Sequence, residues 1–442
     1  NAAQDAREGR PLWVPSHPPS IGYSDIVEGM LPDELQAFAG SGRPELRVVS
    51  REDIGQLVHW FAEGAARARR AGFDGVEVHA GHGYILSGFL SPAMNQREDE
   101  YGGSLENRAR LLLEVIGAIR DKVGTDFPLW VKLDCGESGK REAITLADAR
   151  ATAQLVEAAG AHAITASAYH DVSRGALHSE SNIPFVAERM VPDARALKAA
   201  VAIPVIASGR IEPAAADRHI RAGHFDFLAM GRKILADPDL PNKLQAGRPE
   251  TIRPCVYCYC CASQIYKVQA VKCAVNPETA YERERALIAT DSPRHIGVIG
   301  GGPAGMEVAR RLALRGFRVS LFEAGPRLGG TLQFASIAYQ PNESLLHWLR
   351  REIRTSAVSV HLDTIATPDL LRRLAVEEVV VATGARRDMP SIPGSDQDFV
   401  FSGDEMRALV MGDPLPSLAR KLPAAARVAV KAAAVLGLTA NP

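Results

Sequence analysis

Phe73-Asp-Gly-Val-Glu-Val-His79-Ala-Gly-His82-Gly-Tyr84 reads as a short strand that runs straight into a turn rich in histidine and glycine. The strand part, Phe73–His79, has four companions: Pro128–Leu133, Ala161–Ser167, Pro204–Ser208 and Phe225–Met230. Each is apolar nearly throughout, as expected of a strand buried on both faces of a parallel sheet. Amphipathic stretches flank them: Arg51–Ala71, Leu105–Val123, Thr145–Ala159 and Pro213–Ala222. Repeated βα units predict an α/β barrel or a doubly wound sheet. Five strands are not eight, and the residues before Arg51 read as loop. A barrel therefore places about three βα units upstream of Asn1. A barrel cut open exposes strand edges, so the sequence is expected to be a piece of a longer product.

The chain has 442 residues, room for two or three domains. Its 51 basic and 52 acidic residues leave a formal charge of −1, which argues against a nucleic-acid or membrane-surface binder. Apolar residues are 46% and charged residues 23%, ordinary for a folded globular protein. No apolar run reaches the length of a membrane span, and no signal peptide is legible. Five of the six cysteines fall between Cys255 and Cys273, a crowding that reads as metal ligation in a reducing, cytoplasmic compartment.

Cys255-x2-Cys258-x2-Cys261, then Cys273, offers four thiolates, three from one tight loop and one returning from outside. This layout suits a [4Fe-4S] cluster. A structural zinc would accept four thiolates too, and Cys260 competes with Cys261 for the third place. From Arg294 a second pattern begins. His295–Ile299 is a strand, and Gly300-Gly-Gly302-Pro-Ala-Gly305 fits G-x-G-x-x-G before a helix that runs to Arg315. Arg318–Glu323 is the next strand. The glycines let a pyrophosphate approach the helix N-terminus, and Glu323 can bind ribose hydroxyls. Arg327-Leu-Gly-Gly330 and the strand Val379–Ala382 before Thr383-Gly384 extend the match to an FAD-type dinucleotide fold.

Two strand-end turns, Ser208-Gly209-Arg210 and Met230-Gly231-Arg232, lie where barrels commonly hold a phosphate on backbone N–H groups. Either alone would pass for an ordinary turn, but the pair favours a phosphorylated cofactor. His79, His82 and Tyr84 sit at a strand's C-terminal end, where barrel enzymes place catalytic groups. Lys132 ends the next strand and can set a cation beside an electron-rich ring. The domains are then 1–248, a partial barrel; 249–293, the cysteine segment; and 294–442, a partial dinucleotide domain.

Together these residues resemble the old-yellow-enzyme-like flavoproteins that carry an iron–sulfur cluster and a second dinucleotide domain. That family includes 2,4-dienoyl-CoA reductase, 2-enoate reductase and trimethylamine dehydrogenase. Phe89-Leu-Ser-Pro followed by Asn95-Gln-Arg-Glu-Asp-Glu-Tyr-Gly-Gly-Ser-Leu-Glu-Asn-Arg108 is the most specific signature, and Arg253-Pro-Cys255 opens the cluster loop. The resemblance implies a (β/α)8 TIM barrel lacking its first strands, with FMN on Gly209, Arg210, Gly231, Arg232 and Lys132. It further implies a [4Fe-4S] cluster, FAD or ADP in the last domain, and NAD(P)H as donor. The glycine turn of the family's NAD(P)H-binding insertion is missing near Arg427, so the chain looks cut short at both ends.

Two reactions are compatible with that family, reduction of an activated C=C bond and oxidative N-demethylation of a small amine. The amine enzymes resembled have tyrosine where this chain has His79. A histidine pair, His79 and His82, suits a carbonyl oxygen, which favours C=C reduction. Tyr84 and His170 match the proton donors of dienoyl-CoA reductase. A truncated, non-catalytic remnant is the third reading. Expected partners are a small-molecule substrate and further copies of the chain, with no nucleic acid and no membrane.

Overall fold

The computed structural model describes residues 8–17, 32, 36–37, 40, 45–138, 142–170, 187–385, 389–413 and 415–435. The chain divides into two units, Asn1–Gly231 with Tyr259–Val271, and Arg232–Cys258 with Lys272–Pro442.

In the first unit, β1 (Leu12–Val14) and β2 (Leu46–Val48) pair in parallel, within a stretch the sequence read as loop. Three-residue strands leave too few apolar positions to show a period. Helix α1 (Arg51–Arg70) starts at a reciprocal cap, in which Ser50 Oγ accepts from the Asp53 N–H and the Asp53 carboxylate accepts from the Ser50 N–H. Then follow β3 (Val76–Ala80), the short α2 (Ile85–Leu90) and α3 (Leu105–Val123). Next come β4 (Leu129–Ser138), α4 (Leu146–Ala158), β5 (Ala163–His170) and α5 (Val191–Lys198). The unit's last βα turn is β6 (Val205–Ala207), α6 (Pro213–Arg221) and β7 (Phe227–Leu228).

Strands β3 to β7 form one parallel sheet in strict sequence order. A doubly wound sheet would reverse direction at a switch point; an unbroken order is the wall of a barrel. The two faces differ in a way the sequence reading did not expect. Val78, Ala80, Leu129, Val131, Leu133, Ile164, Ala166, Val205 and Ala207 are buried in one apolar core with α1, α3 and α4. The alternate positions Glu77, His79, Lys132, Asp134, Thr165 and Ser167 share the other face, because side chains alternate and paired positions stay on one side. The strands are thus apolar toward the helices and polar toward the interior. In β4 the register shifts between Asp134 and Glu137, a bulge of the kind that re-aims side chains beside active sites.

The second unit opens with α7 (Arg232–Ala236) and α8 (Leu240–Gln245). Helix α9 (Cys260–Lys267) belongs to the first unit. The second unit then runs β8 (His295–Ile299), α10 (Pro303–Leu314), β9 (Arg318–Phe322), α11 (Thr331–Ala338) and α12 (Gln340–Arg354). It continues with β10 (Val358–His361), α13 (Pro368–Arg373), β11 (Glu378–Val381) and α14 (Gly403–Met411). Its last elements are α15 (Pro416–Lys421) and α16 (Ala424–Val435). Four parallel strands lie in the order β10-β9-β8-β11. Helix α12 buries Leu345, Leu346, Trp348, Leu349 and Ile353. Trp348 explains why residues 232–258 join this unit: its Nε1 donates to Thr251 O at 3.0 Å, and the Arg253 and Arg310 guanidiniums lie 4.8 and 5.3 Å from its ring. Among the described residues no helix is long and apolar enough to cross a membrane.

Candidate active site

The turn after β3 is held from below by β4. His82 and Gly83 both take left-handed backbone angles, φ 60° and 69°, which costs a non-glycine residue about 1 kcal/mol or more. Asp134 offsets this strain. Its Oδ2 accepts from the His82 N–H at 2.7 Å and from Ser87 Oγ at 3.1 Å, and the side chain is almost fully buried. Gly81 leaves room for it, since a Cβ there would meet Asp134 Oδ1 at 3.0 Å. His82 Nε2 lies 2.6 Å from Ser167 Oγ in β5. The His79 ring stands edge-on to His82 at 5.0 Å and tilted to Tyr84 at 5.1 Å. Three of the four residues assigned to catalysis from sequence are therefore together, with Tyr84 half exposed at 54%. His170 ends β5 and pairs with Ser138 in the ladder; its side chain lies outside the described residues. Asp134, Ser87 and Ser167 were not singled out from sequence. Two-residue alternation along β4 and β5 was the signal that could have found Asp134 and Ser167.

Lys132 pairs with His79, and its Nζ lies 3.3 Å from Oε2 of Glu77, one layer deeper. The Glu77 carboxylate also accepts from Trp130 Nε1 at 2.9 Å and from Thr165 Oγ1 at 2.5 Å. At the far end of the sheet, Gly209 has φ 108°, which L side chains rarely adopt, and Ser208 Oγ donates to Ala166 O at 2.8 Å. A Cβ at Gly231 would meet nothing within 4 Å, so open space faces that backbone. These features suit the phosphate end of a flavin nucleotide. Arg210 is buried, and its carbonyl accepts from the Glu188 N–H. Gly231 and Arg232 fall on either side of the division between the units; within its own unit the Arg232 guanidinium lies 5.5 Å from the Tyr257 ring.

In the second unit the glycine turn is tight where it should be. A Cβ on Gly300, at φ 109°, would lie 2.4 Å from Ala382 O, and one on Gly305 would lie 1.8 Å from Gly300 O. Gly302 instead faces open space at the N-terminus of α10, where backbone N–H groups and the helix dipole favour an anion. Glu323 accepts from the Gly301 N–H at 2.9 Å and the Gly325 N–H at 2.8 Å, so its carboxylate is fixed beside the turn. This geometry fits the pyrophosphate and ribose of a dinucleotide. Arg327 is tied to Asp413 at 2.5 Å and to Gln333 at 2.7 Å.

All six cysteines are thiols, none in a disulfide. Cys255, Cys258 and Cys273 belong to the second unit, Cys260 and Cys261 to the first. Among the described residues no three His, Cys, Asp or Glu side chains are gathered as ligands for a metal ion. Burial pushes the Cys255 thiol pKa up, with the neighbouring Cys273 adding to it. The Tyr257 N–H, 3.4 Å from Cys255 Sγ, and the cations Arg232 and Lys233 pull the other way.

Residues 24–251, more than half of the chain, match the model of the NADH:flavin oxidoreductase / NADH oxidase family. The chain belongs to that family. Its first unit is accordingly a TIM-barrel flavoprotein fold. Residues 294–410 match the pyridine nucleotide-disulphide oxidoreductase family. A metal reductase of Desulforamulus reducens is 38% identical over 406 residues, covering 88% of this chain and 56% of the relative. An N,N-dimethylglycine/sarcosine dehydrogenase of Chromohalobacter salexigens is 33% identical over 379 residues, covering 84% and 54%. The solved 2-naphthoyl-CoA reductase, in complex with 2-naphthoyl-CoA, superposes with a TM-score of 0.75 at 30% identity, over 80% of this chain and 54% of that one. The chain thus spans little more than half the length of these relatives.

In this member of the family the specific sequence signature is architectural. Asn95 Nδ2 donates to Phe89 O and Tyr101 O at 2.8 and 2.7 Å. Arg97 Nη1 donates to Pro15 O and Val49 O at 3.0 and 2.7 Å, tying down the segments around β1 and β2. Arg108 Nε donates to Leu90 O at 2.9 Å. These bonds fix α2, and with it the turn that carries Tyr84.

Proposed function

We propose that this flavin oxidoreductase reduces an activated C=C bond, in an enoate or an enoyl or dienoyl thioester. The observation that carries the reading is the grouping of His79, His82 and Tyr84 at the C-terminal end of β3. When bound, FMN supplies the hydride for the β-carbon. His79 and His82 hold the substrate carbonyl oxygen, where negative charge develops as the β-carbon is reduced. Donors already oriented at that oxygen stabilise the transition state by a few kcal/mol, about the size seen for single oxyanion-hole donors. Tyr84 Oη gives its proton to the α-carbon, with His170 as a second donor. Ser167 and Asp134 keep the histidine turn from relaxing.

Gly209, Arg210, Gly231 and Arg232 would hold the flavin phosphate, and Lys132 would sit by its pyrimidine edge. Gly300, Gly302, Gly305 and Glu323 would hold the ADP part of FAD, or ADP itself, with Arg327 beside them. Cys255, Cys258, Cys273 and either Cys261 or Cys260 supply the donor set for a [4Fe-4S] cluster. Their spacing supports this reading, and no catalytic step here depends on it. NAD(P)H is the electron donor this reading expects of a full-length protein.

The FMN-loaded chain, reduced anaerobically, should be reoxidised by an enoate or enoyl thioester. Reduction of the oxidised protein by a methylated amine, with no response to enoates, would establish oxidative N-demethylation instead. The similarity to the dimethylglycine dehydrogenase keeps that second reading open.

A further inference from the structure

Glu77 is the one acidic side chain among the interior positions that the β3–β4–β5 register sets at the level of His79 and below: Glu77, His79, Trp130, Lys132, Ala163 and Thr165. A carboxylate on the wall of a flavin site calls for an explanation, since it opposes the negative charge that a reduced flavin ring carries. Its position is not loose. Donors on two further strands, Trp130 Nε1 and Thr165 Oγ1, fix its orientation, and Lys132 Nζ closes the set at 3.3 Å. Only about a quarter of either partner's side chain is exposed, 28% for Glu77 and 25% for Lys132. Glu77 as a whole residue is exposed, so water reaches the pair and screens it in part.

We propose that Glu77 is a positioning residue that acts through Lys132, setting how strongly that cation favours the reduced flavin. The proposal rests on the reading of Lys132 at the flavin's pyrimidine edge. A carboxylate at ion-pair distance cancels part of the ammonium's field at a neighbouring group. It also holds the ammonium in one place. The flavin then meets a damped, fixed dipole rather than a bare mobile charge. Such an arrangement keeps the reduction potential low enough for hydride to leave toward an unsaturated acceptor.

The test is the midpoint potential of FMN bound to the full chain, measured by dye equilibration. Glu77→Gln preserves shape and removes the charge, so the potential should rise. About a tenfold gain in the reduced-to-oxidised ratio at fixed applied potential is the scale of one nearby charge, or about 30 mV for a two-electron couple. Lys132→Met should shift it the opposite way. Glu77→Asp, which restores the charge, should return it toward the parent. A purely structural role would weaken FMN binding without raising the potential. An unchanged or lowered potential in Glu77→Gln, with Lys132→Met still lowered, overturns the role of Glu77 and leaves Lys132 at the flavin. No shift in Lys132→Met, or no FMN uptake by the parent, overturns both.

Discussion

The imidazole of His82 is bound to Ser167 across an intervening strand. Nε2 and Oγ are 2.6 Å apart, although β3 and β5 are not neighbours in the sheet. β4 lies between them, and its Asp134 accepts from the His82 backbone N–H. The ring is thereby oriented by one strand and its main chain by another. Ser167→Ala should leave the fold intact, because Ser167 is small and the alanine fits its space. It should slow enoate-driven flavin reoxidation about tenfold, the kinetic equivalent of one hydrogen bond of about 1–1.5 kcal/mol. Stopped-flow absorbance at the flavin band checks this; a rate equal to the parent's would mean that Ser167 has no part in orienting His82.

Tyr84 is half exposed and lies against His79, so its hydroxyl can be removed without disturbing a core. Tyr84→Phe should slow substrate-dependent reoxidation by about 10²–10⁴-fold, the usual contribution of a positioned acid. Reduction of the flavin by dithionite should be unaffected. Should the variant reoxidise as fast as the parent, the proton comes from another group.

Much of this architecture was legible because it is local. Helix α3 follows its predicted span, Leu105–Val123, and β8 its predicted span, His295–Ile299. Both carry their apolar periods and their boundaries within a few residues of sequence. The polar barrel face was not legible. Lys132, Asp134, Thr165 and Ser167 look like isolated exceptions within apolar runs until β3, β4 and β5 are put in register. Alternation within β4 and within β5 marks the polar positions, but register, a property of three distant segments, is what gathers them on one face. The same limit hid α5, Val191–Lys198, whose short apolar side, Val191, Ala194 and Leu197, gains meaning only against the sheet. The cysteine segment shows the converse. Its spacing is plain in sequence, yet its thiols are divided between the two units.

For that segment the test is chemical. Anaerobic reconstitution of the full chain should give about four irons and four sulfides per chain, as a [4Fe-4S] centre requires. Cys273→Ala should abolish it. Comparing Cys260→Ala with Cys261→Ala decides the third ligand, and loss in Cys261→Ala alone is the expected result. Stoichiometric zinc in place of iron would make the site structural.

The glycine turn of the second unit separates folding from binding. Gly305 packs so closely that a Cβ would stand 1.8 Å from Gly300 O and 3.0 Å from Gly300 C, both backbone atoms unable to yield cheaply. Gly305→Ala should therefore destabilise the unit by about 3 kcal/mol or more, the upper range for overpacking. Gly302 is different. Its φ of −74° suits any residue, and a Cβ there would meet no neighbour within 4 Å. The unit should fold normally with Gly302→Ala, yet the methyl group would stand at the N-terminus of α10 where the pyrophosphate approaches. Binding of FAD or ADP should weaken at least tenfold by calorimetry, with the unfolding temperature of the ligand-free protein unchanged. If Gly302→Ala binds both nucleotides as the parent does, the pyrophosphate lies elsewhere, and the fixed carboxylate of Glu323 is left as a structural brace for the turn.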